Sequence, residues 1–271
     1  METTDSMSTM KPDVIVYLKN RAQPFKRILG VLKDILTDVN ILFKPSEVYI
    51  GGVDPEKLVA TELSLYHLEE YSCVEPDVRI GVYLSYLHKM LRGVGPSHVI
   101  EMTIERSTPH VLGILVTDVE KNTRSFTAIK SMDIALERVN IPDVEFDSIV
   151  SVPTAEFQKA LRETGLVSKR VCLGYTGENR IQLVASGPLG VANVSLGPTD
   201  GGLTWFKKTV DSSHGLYFAK FIEKFVKPDV SESIDISFKK GFPLMFQYSD
   251  KDYLGVFRFA IAEIMEPDVQ V

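Results

Sequence analysis

A short amphipathic helix that occurs twice constrains this chain more than any other feature. From Phe25 to Leu36 (FKRILGVLKDIL), Phe25, Ile28, Leu29, Leu32, Ile35 and Leu36 recur at helical spacing, while Lys26, Arg27 and Lys33 fall off that stripe. The pattern predicts a helix with a dry face and a basic face. Displaced by 132 residues it returns in PTAEFQKALRET, where Phe157, Lys159 and Leu161 take the places of Phe25, Arg27 and Leu29. The segments after the two copies also match: Asn40 to Asp54 and Arg170 to Gly187 both read as strand, turn, strand, ending in small residues. Two halves of similar plan are expected, each too long for a solenoid repeat.

Along the first half, Val14 to Lys19, Leu58 to Leu65 and Val78 to Val82 read as strands. LSYLHKMLRGVG reads as a second helix, ended by Gly93 and Gly95. His98 to Arg106 and Val111 to Val116 form a predicted hairpin, and Arg124 to Lys130 completes the half. Ser131 to Asp147 has apolar residues but no clean period, and Pro142 stops any helix through it, so an extended connector is expected. The second half repeats the order: strand 148–152, helix 157–164, hairpin, strands 189–196 and 201–210, helix 215–227, and three closing strands in 234–238, 243–248 and 254–262. An antiparallel α+β architecture with four helices gathered on one side fits this order.

Charge is where function first shows. The whole chain carries −6, yet segments 25–36, 81–93, 156–165 and 216–227 hold ten Lys or Arg against four acidic residues, a surplus of six that leaves −12 for the remainder. A net cationic surplus on helix faces in an otherwise acidic chain points to a polyanion surface, which gains affinity by displacing counterions from phosphates. Because the phenylalanines of these helices fall on the buried faces, base stacking is not expected, and duplex backbone is the better partner. Several classes are disfavoured. No run of 18 apolar residues is present to span a membrane, and the opening METTDSMSTMKP lacks a signal-peptide core and reads as a tail. Cys73 and Cys172 sit in separate halves and are expected as free thiols, the five histidines make no metal spacing, and no cofactor is implied. There is no G-x-x-x-x-G-K-[ST], H-E-x-x-H or G-x-S-x-G motif for an enzyme.

Taken in order, ILGVLKDIL, VYIGGVDPEKLVATELSL, IGVYLSYLHKMLRG, SMDIALERVNIPDVEF, VPTAEFQKALRE, IQLVASGPLGVANVSL and FPLMFQYSD resemble the DNA sliding clamps of the proliferating cell nuclear antigen (PCNA) family. The resemblance covers nearly the whole chain and is divergent from cellular clamps, as for a clamp of a large DNA virus or a distant eukaryote. It implies two similar clamp domains, 14–130 and 148–264, joined by connector 131–147, each with antiparallel sheets and two helices on one side, assembling into a closed homotrimeric ring. The implied activity is that of a DNA polymerase processivity factor, not an enzyme, acting in the nucleus or a viral replication compartment. Its implied partners are double-stranded DNA, polymerase and other enzymes carrying a clamp-binding motif, a clamp loader, and further copies of itself.

Residue by residue, the resemblance implies DNA-facing cations at Lys26, Arg27, Lys33, Lys89, Arg92, Lys159, Arg162, Lys220 and Lys227. It implies a partner-peptide groove at Val53, Leu58, Ala60, Val139, Ile141, Pro142, Pro243, Ala260 and Ile261. Departures fall in that groove: Ala260 stands where the family often has a large aromatic, Lys57 where it often has histidine, and Glu263 where it often has proline. Subunit contact is implied at Arg124, Phe126, Ala128 and Lys130 of one edge strand and at Leu189, Val191, Asn193 and Ser195 of another. Alternatives remain open at this point: a subunit of a heterotrimeric checkpoint-type clamp, or an accessory factor that works open or as a monomer.

Overall fold

The computed structural model describes residues 14–135, 139, 141–176, 178–198, 202–210, 212–248 and 255–264. The tail read in the first dozen residues, Leu136 to Arg138 and Asn140 of the connector, Gly201 and Leu254 lie outside them.

Strand β1 (Val14–Arg21) runs into α1 (Ala22–Ile35), which buries Phe25, Ile28, Leu29, Leu32 and Ile35 as the spacing predicts, and Val31 besides. Pro24 sits in its first turn, where a missing N–H breaks no helical bond. Then come β2 (Asp38–Phe43), β3 (Val48–Val53), β4 (Val59–Leu65), β5 (Glu70–Cys73), β6 (Val78–Tyr83), α2 (Leu84–Met90), β7 (His98–Glu105), β8 (Val111–Asp118) and β9 (Thr123–Lys130). The second half opens with β10 (Ser148–Pro153), α3 (Thr154–Gly165), β11 (Arg170–Thr176), β12 (Arg180–Gly187) and β13 (Gly190–Leu196). It closes with β14 (Thr204–Lys208), β15 (Ser213–Phe218), α4 (Ala219–Phe225), β16 (Ser233–Phe238), β17 (Leu244–Tyr248) and β18 (Gly255–Ile261).

Two elements differ from the sequence reading. Strand β5 is polar and, among the described residues, pairs as a strand with β1 alone, so it carried no apolar alternation. The expected start of the fourth helix is strand: residues 215–218 belong to β15, which pairs with β11, and Phe218 continues the helical spacing only because it caps α4.

All strand pairings are antiparallel, and the two halves share one plan. The first half has strand orders β5-β1-β7-β8-β9 and β4-β3-β2-β6, and the second has β14-β10-β16-β17-β18 and β13-β12-β11-β15. One seam joins the halves: β18 pairs with β4 over seven residues, from Gly255 opposite Leu65 to Ile261 opposite Val59, so nine strands form one sheet. Helices α2, α1, α4 and α3 pack in that order as a layer against the sheets. The core is continuous across the halves, with Phe157, Phe221, Phe225, Phe246, Phe257 and Phe259 fully buried. Rings of Phe225 and Phe259 stack with centroids 4.3 Å apart directly behind the seam.

Candidate nucleic-acid interface and docking groove

Seven of the nine expected DNA-facing cations lie on the four helices and the other two, Arg92 and Lys227, just beyond α2 and α4, and they are not equally free. Because α1 buries its apolar stripe, Lys26, Arg27 and Lys33 are turned to the opposite side, where they line one hollow of about 380 Å³ with His88 and with Lys227, just beyond α4. This hollow lies where the two halves meet, so each half contributes positive charge to it. Burial, and then the charges of Lys33 and Lys26, hold the His88 imidazole below its ordinary pKa and keep it neutral near pH 7.

Three of the nine are already engaged. The Lys26 ammonium donates to the carbonyls of Arg92 and Val94 at 2.7 and 2.9 Å, tying α1 to the turn after α2. Lys33 lies 2.7 Å from the carboxylate of its neighbour Asp34. Lys220 lies 3.4 Å from Glu56 and over the Phe221 ring, making a bridge between the halves. Glu56 is presented by a turn that Asp54 organises: its buried carboxylate accepts from the amides of Glu56, Leu58 and Val59 at 3.0, 2.6 and 2.5 Å. Arg27, Lys89, Arg92, Lys159 and Arg162 are exposed or half-buried and, among the described residues, have no ion-pair partner.

The expectation of a cationic face without aromatics fails on α2. Its buried side is Leu84 and Leu87, and the other side exposes Tyr83, Tyr86 and Met90, with Tyr86 61% exposed. The tyrosines occupy the positions off the leucine stripe, three residues apart and three before Lys89, a spacing that was legible in the sequence.

On the opposite face of the sheet the connector forms a strap. It begins against β6, where the amide of Met132 donates to the Gly81 carbonyl at 2.9 Å and the amide of Gly81 donates to Ser131 Oγ at 2.9 Å. Only glycine fits there, since a Cβ on residue 81 would collide with the Met132 carbonyl. The Asn40 side chain donates to the Ile134 carbonyl at 3.2 Å. Further along, Glu62 Oε1 accepts from Tyr49 Oη at 3.2 Å and from the Ile141 amide at 3.3 Å, while Tyr49 Oη also reaches the Val139 carbonyl at 3.3 Å. Burial, and then the Glu62 charge, push the Tyr49 phenol far above its usual range, so it stays a donor.

Beside this strap runs the expected groove. Val53, Ala60, Ala260 and Met245 are direct cross-strand partners on β3, β4, β18 and β17, so their side chains form one row on the outer face. Two alanines at the centre of that row make a wide, flat floor. Val139 and Ile141 come from the strap, half-buried Leu58 from the Asp54 turn, and exposed Pro142 and Pro243 stand at the rim. Ile261 does not join them. It sits one residue out of phase, is 1% exposed, and pairs with buried Leu244 and Val59 on the core side.

The expected contact strands are both sheet edges. Strand β9 ends one sheet and β13 another, each bonded on one side only among the described residues. Phe126 on β9 is 66% exposed, and Val191 on β13 is 69% exposed.

Twin modules, a basic helical layer, a strapped groove on the reverse face and two matching open edges define the class: a two-domain protein that presents cations on one face and a groove on the other. Residues 17–139 match the model of the proliferating cell nuclear antigen N-terminal domain and residues 140–264 that of its C-terminal domain. The chain belongs to the PCNA family. It is 29% identical over 248 residues to proliferating cell nuclear antigen of Saccharomyces cerevisiae, covering 89% of this chain and 94% of that one. It is 25% identical over 246 residues to probable DNA polymerase sliding clamp 1 of Paramecium bursaria Chlorella virus 1, covering 89% and 93%. It is also 24% identical over 254 residues to proliferating cell nuclear antigen of Dictyostelium discoideum, covering 91% and 97%.

Proposed function

We propose that this protein is a sliding clamp, a non-catalytic processivity factor for DNA polymerase in which three copies close a ring around duplex DNA. The observation that carries this reading is the seam between β18 and β4. Because the halves share one strand order, β9 is the counterpart of β18 and β13 the counterpart of β4, yet both are open. A second copy placed by the same rule would pair β9 with β13. Following the registers strand by strand puts Ala128 at the place of Ala260 and Val191 at the place of Ala60, so Ala128 would oppose Val191. Phe126 would then oppose Asn193, Arg124 would oppose Ser195, and Lys130 would oppose Leu189. The neighbour's α3 would lie along α2 as α1 lies along α4, covering Tyr86 and Met90 as their counterparts Phe221 and Phe225 are covered. A head-to-tail contact of this kind closes into a ring or grows into a filament, and the family resemblance supports closure at three.

In such a ring the helical layer faces the hole and its cations hold phosphates without reading sequence. Retention is topological, and an enzyme docked in the groove gains from effective concentration. Polymerase and other motif-bearing enzymes would use the groove, a loader would open the ring, and the place of action is the nucleus or a viral replication compartment. The test is a clamp with Ala128→Cys and Val191→Cys, oxidised after loading on DNA. Covalent trimers that survive high salt on closed circles and leave once the DNA is cut are the expected result. Failure to cross-link in this register, or equal lifetimes on circular and linear DNA, would refute it. One observation favours a second reading, a heterotrimeric clamp: Arg124 and Lys130 would meet no acidic residue on β13. Light scattering separates the two, since a lone chain of this protein then stays a monomer.

A further inference from the structure

Strand β14 ends the nine-stranded sheet at the far side from β6, away from both β9 and β13. It bonds to β10 on one side, and among the described residues no strand bonds to the other. Its sequence TWFKK sets two lysines side by side on a strand of the acidic remainder of the chain. Phe206 is 64% exposed, and Val210 just beyond it is 41% exposed. Around this edge three lysines gather, Lys207 from β14 and Lys239 and Lys240 from the turn after β16, whereas Lys208 is engaged elsewhere, donating to Asn179 Oδ1 at 2.8 Å and lying over the Trp205 ring.

The chain itself shows what this cluster takes. Glu145, at the end of the connector, lies with Oε1 2.6 Å from Lys207 Nζ, and its carbonyl accepts from Lys239 at 2.7 Å. Two residues further, Asp147 Oδ2 accepts from the Lys240 amide at 3.2 Å. Lys207 holds the Glu145 carboxyl below the usual range. An extended acidic segment thus already lies across the cluster. The cations still exceed the acids there, three (Lys207, Lys239 and Lys240) against two (Glu145 and Asp147).

We infer that the free edge of β14 is a second docking site, which takes an extended acidic peptide segment of a partner protein by strand addition. Backbone groups of β14 supply the ladder, alternate residues of the peptide cover Phe206 and Val210, and its carboxylates meet the lysines. Nucleic acid fits less well. Trp205 is engaged edge-on with Tyr175 at 5.0 Å and donates to the Asn179 carbonyl, which leaves Phe206 as the one exposed ring of this strand, whereas strand binding uses successive rings. The site lies apart from the groove beside the strap, so it would select among partners that share the groove's motif.

The probe is a fluorescein-labelled decapeptide alternating Val and Glu, with a Val and Lys decapeptide and a dT20 oligonucleotide as comparisons, all offered to the full chain. Expected results are binding of the Glu peptide alone, slowed amide exchange confined to residues 204–208, and about tenfold weaker binding by Phe206→Ser and by Lys240→Glu. Melting temperature reports whether each exposed-site variant is folded, and light scattering whether its assembly is intact. Binding of dT20 at the same amides, equal binding of the Lys peptide, or exchange unchanged at 204–208 would overturn the inference while leaving the clamp reading untouched. Loss of trimer in Phe206→Ser would also overturn it, by making this edge part of the joint between copies.

Discussion

Glu62 is the residue whose removal should release the strap without unfolding the sheet beneath it. Its carboxylate accepts two bonds, one that holds Ile141 directly and one that positions the Tyr49 phenol beside Val139, both at the long end for their type, 3.3 Å from the Ile141 amide and 3.2 Å from Tyr49. A well-formed bond to a charged acceptor is worth about 1.5–3 kcal/mol, so two long, half-exposed ones together contribute about 2 kcal/mol to holding the strap down. In Glu62→Ala the population of lifted strap should therefore rise about thirtyfold. Amide exchange at Ile141, followed by mass spectrometry or NMR, reads that population directly, and it should accelerate by a similar factor while the amides of Leu63 and Phe259 keep their protection. Glu62→Gln retains one acceptor oxygen and should fall between. A groove-binding peptide should weaken in Glu62→Ala only to the extent that the closed strap is depopulated. Unchanged exchange at Ile141, or acceleration spread equally through β4 and β18, would refute the view that this carboxylate is the local anchor.

The sorting of cations by engagement predicts unequal effects on DNA affinity. Lys89→Gln should lower the slope of log affinity against log salt by about 0.9 for each phosphate it no longer neutralises, whereas Lys33→Gln, whose ammonium is 2.7 Å from Asp34, should change it less; equal changes would remove the distinction. Asp235 predicts a pH effect. Burial raises its pKa, against a hydrogen bond from Ser151 that lowers it, so the folded protein resists ionising it. The resulting penalty is absent below the unfolded carboxylate pKa, grows as pH rises through the folded pKa, and is constant above. Asp235→Asn should therefore melt higher than the parent at pH 7 and level with it at a pH below about 3.9, the unfolded value; a lower melting temperature at pH 7 would reverse the assignment.

Much of the architecture could be read from Phe25 and Phe157 alone, because a helix that buries one stripe must lie on a sheet and its recurrence doubles whatever that sheet is. Elements without an apolar rhythm stayed hidden. Strand β5, EYSC, exists because β1 offers it an edge, and β15 looked helical because Phe218, Phe221 and Phe225 happen to continue one spacing through a strand end. The basic face was legible as charge, but its partners were not. Lys26 bonding to the carbonyls after α2, and Lys220 bridging to Glu56, join residues 66 and 164 apart in sequence. In the groove, the alternation of β18 separates Ala260 from Ile261 by half a period, and only the pairing to β4 shows which of the two faces outward.

The duplication also explains where a ring made of such chains would open. The seam within the chain is backed by Phe221, Phe225 and Phe259, all fully buried, and is held by covalent continuity through the connector. At the proposed joint between copies the counterparts of the two helical phenylalanines are Tyr86 and Met90, and β13 offers Gly190 and Val194 where β4 has Val59 and Leu63. Less apolar area is therefore available at the joint, and each square ångström of apolar burial contributes only about 25 cal/mol. One strand pairing, used within each chain and, in the proposed ring, between chains with different side chains behind it, would give a closed circle whose copies part before its domains do. That difference would let such a ring hold DNA by enclosure and still admit it.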